Sequence, residues 1–409
     1  MPIHANNHPL IQLDPSEASM LERVQGLVAD KIGPNANAVG LKDVFAWDTF
    51  RLLASEGVIA TGFPRDYGGT DATMALRVRI IEILAGVCST AASVITGTDL
   101  SSRPIVAGAS DALKQSLIPD LCSGKRQSAF ALTEPSAGSD VARLASSYTG
   151  SAATGYVLSG SKKFITRADV ADMFVAVARR EDGPPGAKGL SAFVVPRDSA
   201  GVHVSSIIPK MGWFGVPICM VTFDKVAIPA THLLGAEGQG MALAQDTLLR
   251  ARIGHAAIAL GRMTGALQIA TQYAAQRKVF GHAVSDHQGI QWMIASMAAQ
   301  IEAARCLVYS TALRYDNQDP DASVHASIAK MHATDLCMKL MVDCMQLLGG
   351  NSYLKAFPLE RFMRDAKMNQ IGEGTSEVHK NLIARFVMRL ASQMPQHPSL
   401  EMDPDLFVG

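Results

Sequence analysis

The stretch QLLGGNSYLKAFPLERFMRDAKMNQIGEGTSEVHKNLIAR, residues 346–385, is the part of the chain around which the rest is read. Gly349 and Gly350 close an apolar helical pattern, and a basic segment follows with Arg361, Arg364 and Lys367. Glu373 then stands between Gly372 and Gly374, ahead of Thr375 and Ser376. A carboxylate flanked by glycines can approach a ligand closely, because neither neighbour carries a Cβ and both accept unusual backbone angles. That geometry suits a base. Standing alone, the same string reads equally as a loop glutamate capping the next helix.

Working outward, helical periodicity dominates from Gly240 onward. Leu260, Met263, Leu267, Ala270 and Ala274 form one apolar face, and Ile290–Tyr315, Ala322–Leu348 and Ser376–Met394 predict three more long helices. Four such helices predict a C-terminal bundle over 241–409. Cys337, Met341, Cys344, Met345 and Leu348 on the third read as core filling rather than ligands. Between 129 and 240 the texture changes to short β-branched runs at Tyr156–Leu158, Met173–Val177, Ala192–Val195, Val202–Ile208 and Met220–Phe223, which predict a small β domain. Residues 1–128 are again helical in pattern, with Leu21, Val24, Leu27 and Val28 on one face and an apolar run from Val78 to Val87. Pro64, Gly68 and Gly69 punctuate a loop in FPRDYGGTD, and the tail after Pro395 reads as frayed. The expected fold class is mainly α with a small β domain.

At 409 residues the chain exceeds one core, and its 48% apolar content is enough to fill several. The 37 basic and 37 acidic residues cancel, so no basic field attracts phosphate backbones or anionic lipid, and nucleic acid is not an expected partner. The six cysteines lack C-x-x-C spacing, which predicts free thiols in a reducing cytoplasm. The opening MPIHANNHPL has no signal-type segment, and no apolar run reaches the roughly 18–20 residues needed to span a bilayer. A soluble, cytoplasmic chain without a membrane partner is expected.

Two further stretches offer chemistry. FALTEPSAGSD (130–140) follows a strand pattern and brings Thr133, Ser136, Gly138 and Ser139 into a polar loop able to hydrogen-bond a cofactor, although an ordinary turn explains it as well. RKVFGHAVSDHQ (277–288) sets Phe280 three residues after Arg277, a spacing that on a helix puts both on one face; a surface arginine beside a packed ring is the plainer reading. His282 and His287 are five apart, wrong for two ligands on one helical face, so no metal is expected.

Residues 346–385 and EPSAGSD (134–140) together resemble the two signatures of the acyl-CoA dehydrogenase family, and FPRDYGG (63–69), KKFIT (162–166) and RKVFG extend the resemblance over nearly the whole chain. The resemblance implies a helical domain, a middle β domain and a helical bundle binding flavin adenine dinucleotide (FAD). Phe130, Leu132 and Thr133 would lie against the isoalloxazine, Gly138 and Ser139 near the pyrophosphate, and Phe164, Ile165 and Thr166 on the other side of the ring. Arg277, Phe280, Gln288, Gln346 and Gly350 would reach a neighbouring subunit's flavin, with Thr375 and Glu377 also at the cofactor, implying a homodimer or homotetramer. Ser139, Arg252, Gly372 and Gly374 would contact substrate. The implied reaction removes the α-proton of an acyl thioester with Glu373 and passes the β-hydrogen as hydride to flavin N5, giving the trans-2-enoyl thioester. The enolate would be held by the Glu373 backbone N–H and a flavin ribityl hydroxyl, and an electron-transfer flavoprotein would reoxidise the cofactor.

Some relatives carry the base on the helix containing LLRARIGHAA, at the position of Ala251; with alanine there, Glu373 is the base the pattern allows. Phe164 replaces a frequent tryptophan and Arg167 a frequent asparagine. Gly372 stands where tyrosine is common, which predicts a wider pocket, and Ser352 replaces a glycine. Leu249 and Phe214 replace an aspartate and an arginine expected along the coenzyme A arm, with Arg250, Arg252 and Lys210 as available substitutes. A carrier-protein thioester is therefore a second substrate reading. A flavin oxidase or monooxygenase on the same fold, distinguished by oxygen consumption, and a non-catalytic nucleic-acid-binding flavoprotein, distinguished by salt-dependent DNA retention, are the competing functions.

Overall fold

The computed structural model of the protein describes residues 8–395, so the readings of the opening MPIHANN and of a frayed tail concern residues outside this range. The chain begins with six helices: α1 (Pro15–Leu27), α2 (Gly33–Val39), α3 (Trp47–Ser55), α4 (Met74–Ala85), α5 (Ser89–Gly108) and α6 (Asp111–Cys122). Asp14 caps α1, accepting from the Ser16 and Glu17 N–H groups, while the Glu17 side chain reaches back in a capping box. Helix α4 is buried along its whole length, which is why it reads as a continuous apolar run rather than an amphipathic stripe.

Strands β1 (Ser128–Ala131), β2 (Ser147–Ser151), β3 (Gly155–Thr166), β4 (Met173–Arg180), β5 (Leu190–Pro196), β6 (Val202–Val204), β7 (Ile218–Ile228) and β8 (Leu233–Leu234) form one sheet in the order β6-β7-β3-β2-β4-β5-β8. β1 and β2 share one edge of β4, both parallel to it, and the remaining pairs are antiparallel. Strand β6 stops at Val204, short of the Val202–Ile208 run read from the sequence; beyond it only isolated backbone bonds from Ser205 and Ile208 reach β7.

Helix α7 (Gly240–Gln276) runs 37 residues, roughly 55 Å at 1.5 Å per residue. A short hairpin, β9 (Lys278–Val279) and β10 (His282–Ala283), leads into α8 (Gln288–Asp316) and α9 (Ala322–Leu348), then α10 (Leu359–Ile371) and α11 (Ser376–Ala391). The four helices expected here are present. The fifth, α10, is where the sequence reading saw only a basic segment: its inner face mixes Leu359, Phe362 and Ala366 with buried Arg361, Asp365 and Asn369, which blurs the apolar period. α11 buries only Ser376 and His379, and α4 packs instead along α7 and α8. That approach is backbone to backbone: a Cβ on Gly261 would stand 2.1 Å from the Glu82 carbonyl oxygen, and one on Gly265 1.9 Å from that of Gly86.

One apolar core runs through the N-terminal helices, the bundle and one face of the sheet, taking in Met173, Val175, Val177, Leu190, Ala192 and Val194. The alternate residues Phe174, Ala176, Ala178, Phe193 and Val195 fill a second core on the opposite face, as the two-residue strand period requires.

Candidate active site

A cavity of about 220 Å³ opens where α5, the β1 loop, the end of β3, α7 and the α10–α11 turn converge. Its walls include Phe130, Leu132, Thr133, Gly138, Ser139, Phe164, Ile165, Thr166, Arg252, Glu373 and Gly374, so eleven of the residues singled out from sequence meet in one place. Sequence reasoning missed Gly97, Leu100 and Ser101 of α5, Leu248 of α7 and Val378 of α11. Helix α5 reads as plain scaffold; its one usable signal was Gly97, a glycine in a helix interior, which marks close packing.

The wall formed by the β1 loop and β3 is built on a buried ion pair. Lys162, fully buried in β3, donates to Glu134 at 2.7 Å, to the Val177 carbonyl at 2.6 Å and to the Leu132 carbonyl at 3.2 Å. Glu134 also accepts from the Ala145 and Ser146 N–H groups at 2.6 and 3.0 Å. Burial pushes the Glu134 carboxyl up, but the Lys162 charge and these donors overcome it and hold the group below its ordinary value; burial brings Lys162 down to about 8. Two residues further on, β3 breaks register between Lys162 and Ile165, and Phe164 takes a left-handed φ of 61°. This bulge turns the Phe164 ring into the cavity wall, half exposed, with the Lys163 ammonium 4.9 Å from its centre.

The opposite wall holds Glu373. Its φ of 57° is left-handed, as is that of Gly374 at 97°, and three anchors fix the turn to its neighbours. The Gln370 amide and the Ser376 hydroxyl donate to the same Asp335 oxygen on α9, at 2.8 and 2.7 Å. Lys330, five residues earlier on α9 and fully buried, donates to the Gly374 carbonyl at 2.6 Å. The Thr375 hydroxyl caps α11 by accepting from the Val378 N–H. Glu373 is partly buried and lines the cavity, and desolvation raises its carboxyl above the ordinary carboxylate value against the pull of Lys330 and Arg252. The Arg252 Nε has no protein partner and this arginine lines the same cavity.

Several readings need correction. Gly372 is not part of the cavity wall, and a Cβ there would meet the Met368 thioether at 3.0 Å, so the space of a larger side chain is partly taken by Met368 rather than added to the pocket. Arg277 and Phe280 do not share a helical face. Arg277 ends α7, and Phe280–Gly281, both at positive φ (50° and 83°), form the two-residue tip of the β9–β10 hairpin. Phe280 is 93% exposed. Arg277, Gln288, Gln346, Gly350 and Glu377 are also exposed, and with the partly buried Thr375 all lie off the cavity wall of this single chain. Arg167 is buried with φ 62° and donates to the Thr98 hydroxyl and to the Ser93 and Val94 carbonyls; it is a brace between β3 and α5.

Of the proposed substitutes along the coenzyme A arm, Arg250 is held by both Asp99 oxygens and by Tyr315, and Lys210 by Asp43. Phe214 is flanked by the Lys210 and Arg364 cations at 5.6 and 5.1 Å. Among the described residues, His8, Glu302 and Cys306 bring potential metal ligands together. The His8 Nδ1 accepts from the Leu10 N–H, which leaves the proton on Nε2 facing Glu302 at 3.3 Å, an arrangement for hydrogen bonding rather than ligation.

Strand, glycine loop and aromatic bulge together define a flavin-type site on an α/β/α chain. Family models for the acyl-CoA dehydrogenase N-terminal, middle and C-terminal domains match residues 14–125, 129–226 and 238–388. The chain belongs to the acyl-CoA dehydrogenase family, whose FAD-dependent oxidation of the CH–CH bond of an acyl thioester it shares. It is 35% identical over 375 residues to an acyl-CoA dehydrogenase of Bacillus subtilis (strain 168), covering 91% of this chain and 98% of the relative. The butyryl-CoA dehydrogenase structure from Megasphaera elsdenii superposes with a TM-score of 0.88 at 32% identity, covering 93% and 100%. The prolyl acyl carrier protein oxidase AnaB superposes at 0.86 with 25% identity, covering 92% and 100%. The cavity fits FAD: an open glycine loop with free hydroxyls, aromatic and aliphatic walls and no side chain filling the cradle at Gly138, where the nearest atom to an added Cβ lies 3.9 Å away. No helix among the described residues is long and apolar enough to cross a membrane.

Proposed function

We propose that this chain dehydrogenates an acyl thioester with Glu373 as the α-proton base. The observation that supports it is the left-handed turn, anchored at three points, that presents a partly buried carboxylate to the cavity shared with the flavin-site residues. A carboxylate whose proton affinity is raised by burial is a stronger base at neutral pH, and the Glu373 N–H is the donor this turn offers to a developing enolate oxygen. Arg252 adds positive charge on the same side. FAD, held by Phe130, Leu132, Thr133, Gly138, Ser139, Phe164, Ile165 and Thr166, supplies the acceptor for the β-hydride. An electron-transfer flavoprotein is the proposed downstream acceptor, in a cytoplasmic setting suited to six free thiols, of which five are buried.

Coenzyme A is the first proposed carrier. A carrier-protein thioester is supported by one observation: Arg250 and Lys210 are already held by internal carboxylates, which leaves Arg252 as the one named substitute for the missing polar partners at Leu249 and Phe214. Anaerobic bleaching of the bound flavin by an acyl-thioester panel tests the reaction; no bleaching by any thioester would overturn it. With one acyl group presented on coenzyme A and on truncated pantetheine, a kcat/KM ratio above about 100 assigns coenzyme A, and near-equal values assign the carrier protein.

Arg277 and Phe280 are proposed to complete the flavin site of a second copy in a homodimer or homotetramer, together with Gln288, Gln346 and Gly350. A phenylalanine ring left 93% in water at a hairpin tip supports this reading. Arg277→Ala/Phe280→Ala is expected to be purified with less than half the wild-type flavin content, measured by absorbance ratio. Full flavination of the double variant would exclude the cross-subunit role.

A further inference from the structure

Lys330 is a second observation at this site that the reaction scheme leaves unused. It sits inside α9 with no exposed surface, makes its 2.6 Å bond to Gly374 and faces the base turn. Burying an ammonium is costly unless an anion compensates it, and one carbonyl does not suffice. The charged groups around it are Glu373 on the turn, Asp335 one helical turn on along α9, Glu377 on α11 and Arg252 on α7. Asp335 accepts from the neutral Gln370 and Ser376 donors and keeps its charge, and Glu377 is exposed, so the partly buried carboxylates around Lys330 are Glu373 and Asp335.

The histidines nearby do not alter this charge count. His379 on α11 is buried with neither ring nitrogen hydrogen-bonded, and His255 on α7 shares a 3.1 Å contact with Asn369. Burial, together with the neighbouring cations, brings both imidazoles down to about 3, so both are neutral across the working range. The set is then Lys330 and Arg252 against Glu373 and Asp335: no net charge before proton abstraction, and one net positive charge after Glu373 accepts the proton.

We infer that Lys330 is a positioning residue for Glu373: it ties the Gly374 carbonyl to α9 and supplies the fixed positive charge against which the base stays ionised inside the protein. The inference rests on the assignment of Glu373 as base. When the proton leaves the substrate, negative charge moves from the Glu373 carboxylate to the thioester. Burial brings Lys330 itself down to about 8, so it carries its charge through the acid limb and loses it above that pH.

The test separates charge from tether. Lys330→Gln keeps an N–H able to reach Gly374 but removes the charge; Lys330→Arg keeps the charge; Lys330→Met removes both. The readout is the pH dependence of anaerobic flavin reduction by a bleaching thioester, in flavinated holoenzyme. Removing a cation beside a carboxylate raises its proton affinity, so the acid limb of Lys330→Gln is expected to move to higher pH by about one unit or more, with Lys330→Arg close to wild type. Lys330→Met is expected to show the same shift plus a lower plateau. A Lys330→Gln profile superimposable on wild type overturns the inference, as does an equal shift in Lys330→Arg. If Lys330→Gln fails to fold, the arginine variant decides: a wild-type acid limb supports the charge role and a displaced one refutes it. Glu373→Gln in the same assay distinguishes the two readings. If it still reduces flavin, the base assignment itself falls; if it is inactive while Lys330→Gln behaves as wild type, only the role of Lys330 falls.

Discussion

Glu373→Gln is expected to retain its yellow cofactor and to lose flavin reduction by at least about 100-fold, the usual scale for removal of a general base. The two properties separate because the groups that shape the flavin cradle lie on β1, its loop and β3, whereas Glu373 hangs from the α10–α11 turn. Glutamine preserves the volume and the turn and removes only proton acceptance. The wild-type rate should fall as pH drops through the raised carboxyl value, because protonation disables the base, and the glutamine variant should show no such limb. Anaerobic stopped-flow absorbance with a bleaching thioester measures both, and near-wild-type reduction by the variant would refute the assignment.

The largest stability effect is expected from Lys162→Met. The side chain is fully buried and Glu134 nearly so, and removing one partner strands a carboxylate among apolar residues, which costs about 3–5 kcal/mol in comparable pairs. The Leu132 and Val177 carbonyls lose a donor as well, and the loop carrying Thr133 and Ser139 is left tied to β3 through the Lys163 N–H on the Thr133 carbonyl, so flavin content should fall along with the urea midpoint. The sign with pH follows from Glu134. In the wild type its folded carboxyl lies below the ordinary value of 4.5, so its contribution is present above that pH and is lost as pH falls through the folded value. In the variant burial is opposed only by the Ala145 and Ser146 N–H donors, so the carboxyl rises, and the penalty is full at neutral pH and shrinks in acid. Urea melts at pH 7 and pH 5 should therefore show a gap between variant and wild type that narrows at the lower pH. A midpoint unchanged at pH 7 would show that the pair contributes nothing.

How much of this was legible follows from the kind of signal each residue leaves. Long helices with a repeating apolar face, such as Ala322–Leu348, were read to the residue because burial dictates the period. Helix α10 escaped because Asp365, Asn369 and Arg361 occupy its inner face, where their hydrogen bonds replace apolar contact. The flavin wall and Glu373 were legible through local glycine-rich strings. Lys330 was not: one lysine within a helical run looks solvent-facing, and only the fold shows that its neighbour is the Gly374 carbonyl. Arg277 and Phe280 were placed on the wrong local structure by spacing, since Gly281 turns the chain before a helix can form.

The shared packing of the sheet has a kinetic consequence. Met173, Val175, Val177, Leu190, Ala192 and Val194 are sealed into the same interior as the helices, so swinging the sheet away from the bundle would expose six apolar side chains. At about 1.5–3 kcal/mol for each of the five larger side chains and less for Ala192, such an opening lies roughly 8–16 kcal/mol uphill, so the swung-out form is populated in on the order of one molecule in a million or fewer. Substrate must then enter through a mouth that stays in place, with only side chains such as the half-exposed Phe164 yielding, and product escape should respond to the bulk of rim residues rather than to solvent viscosity acting on a hinge.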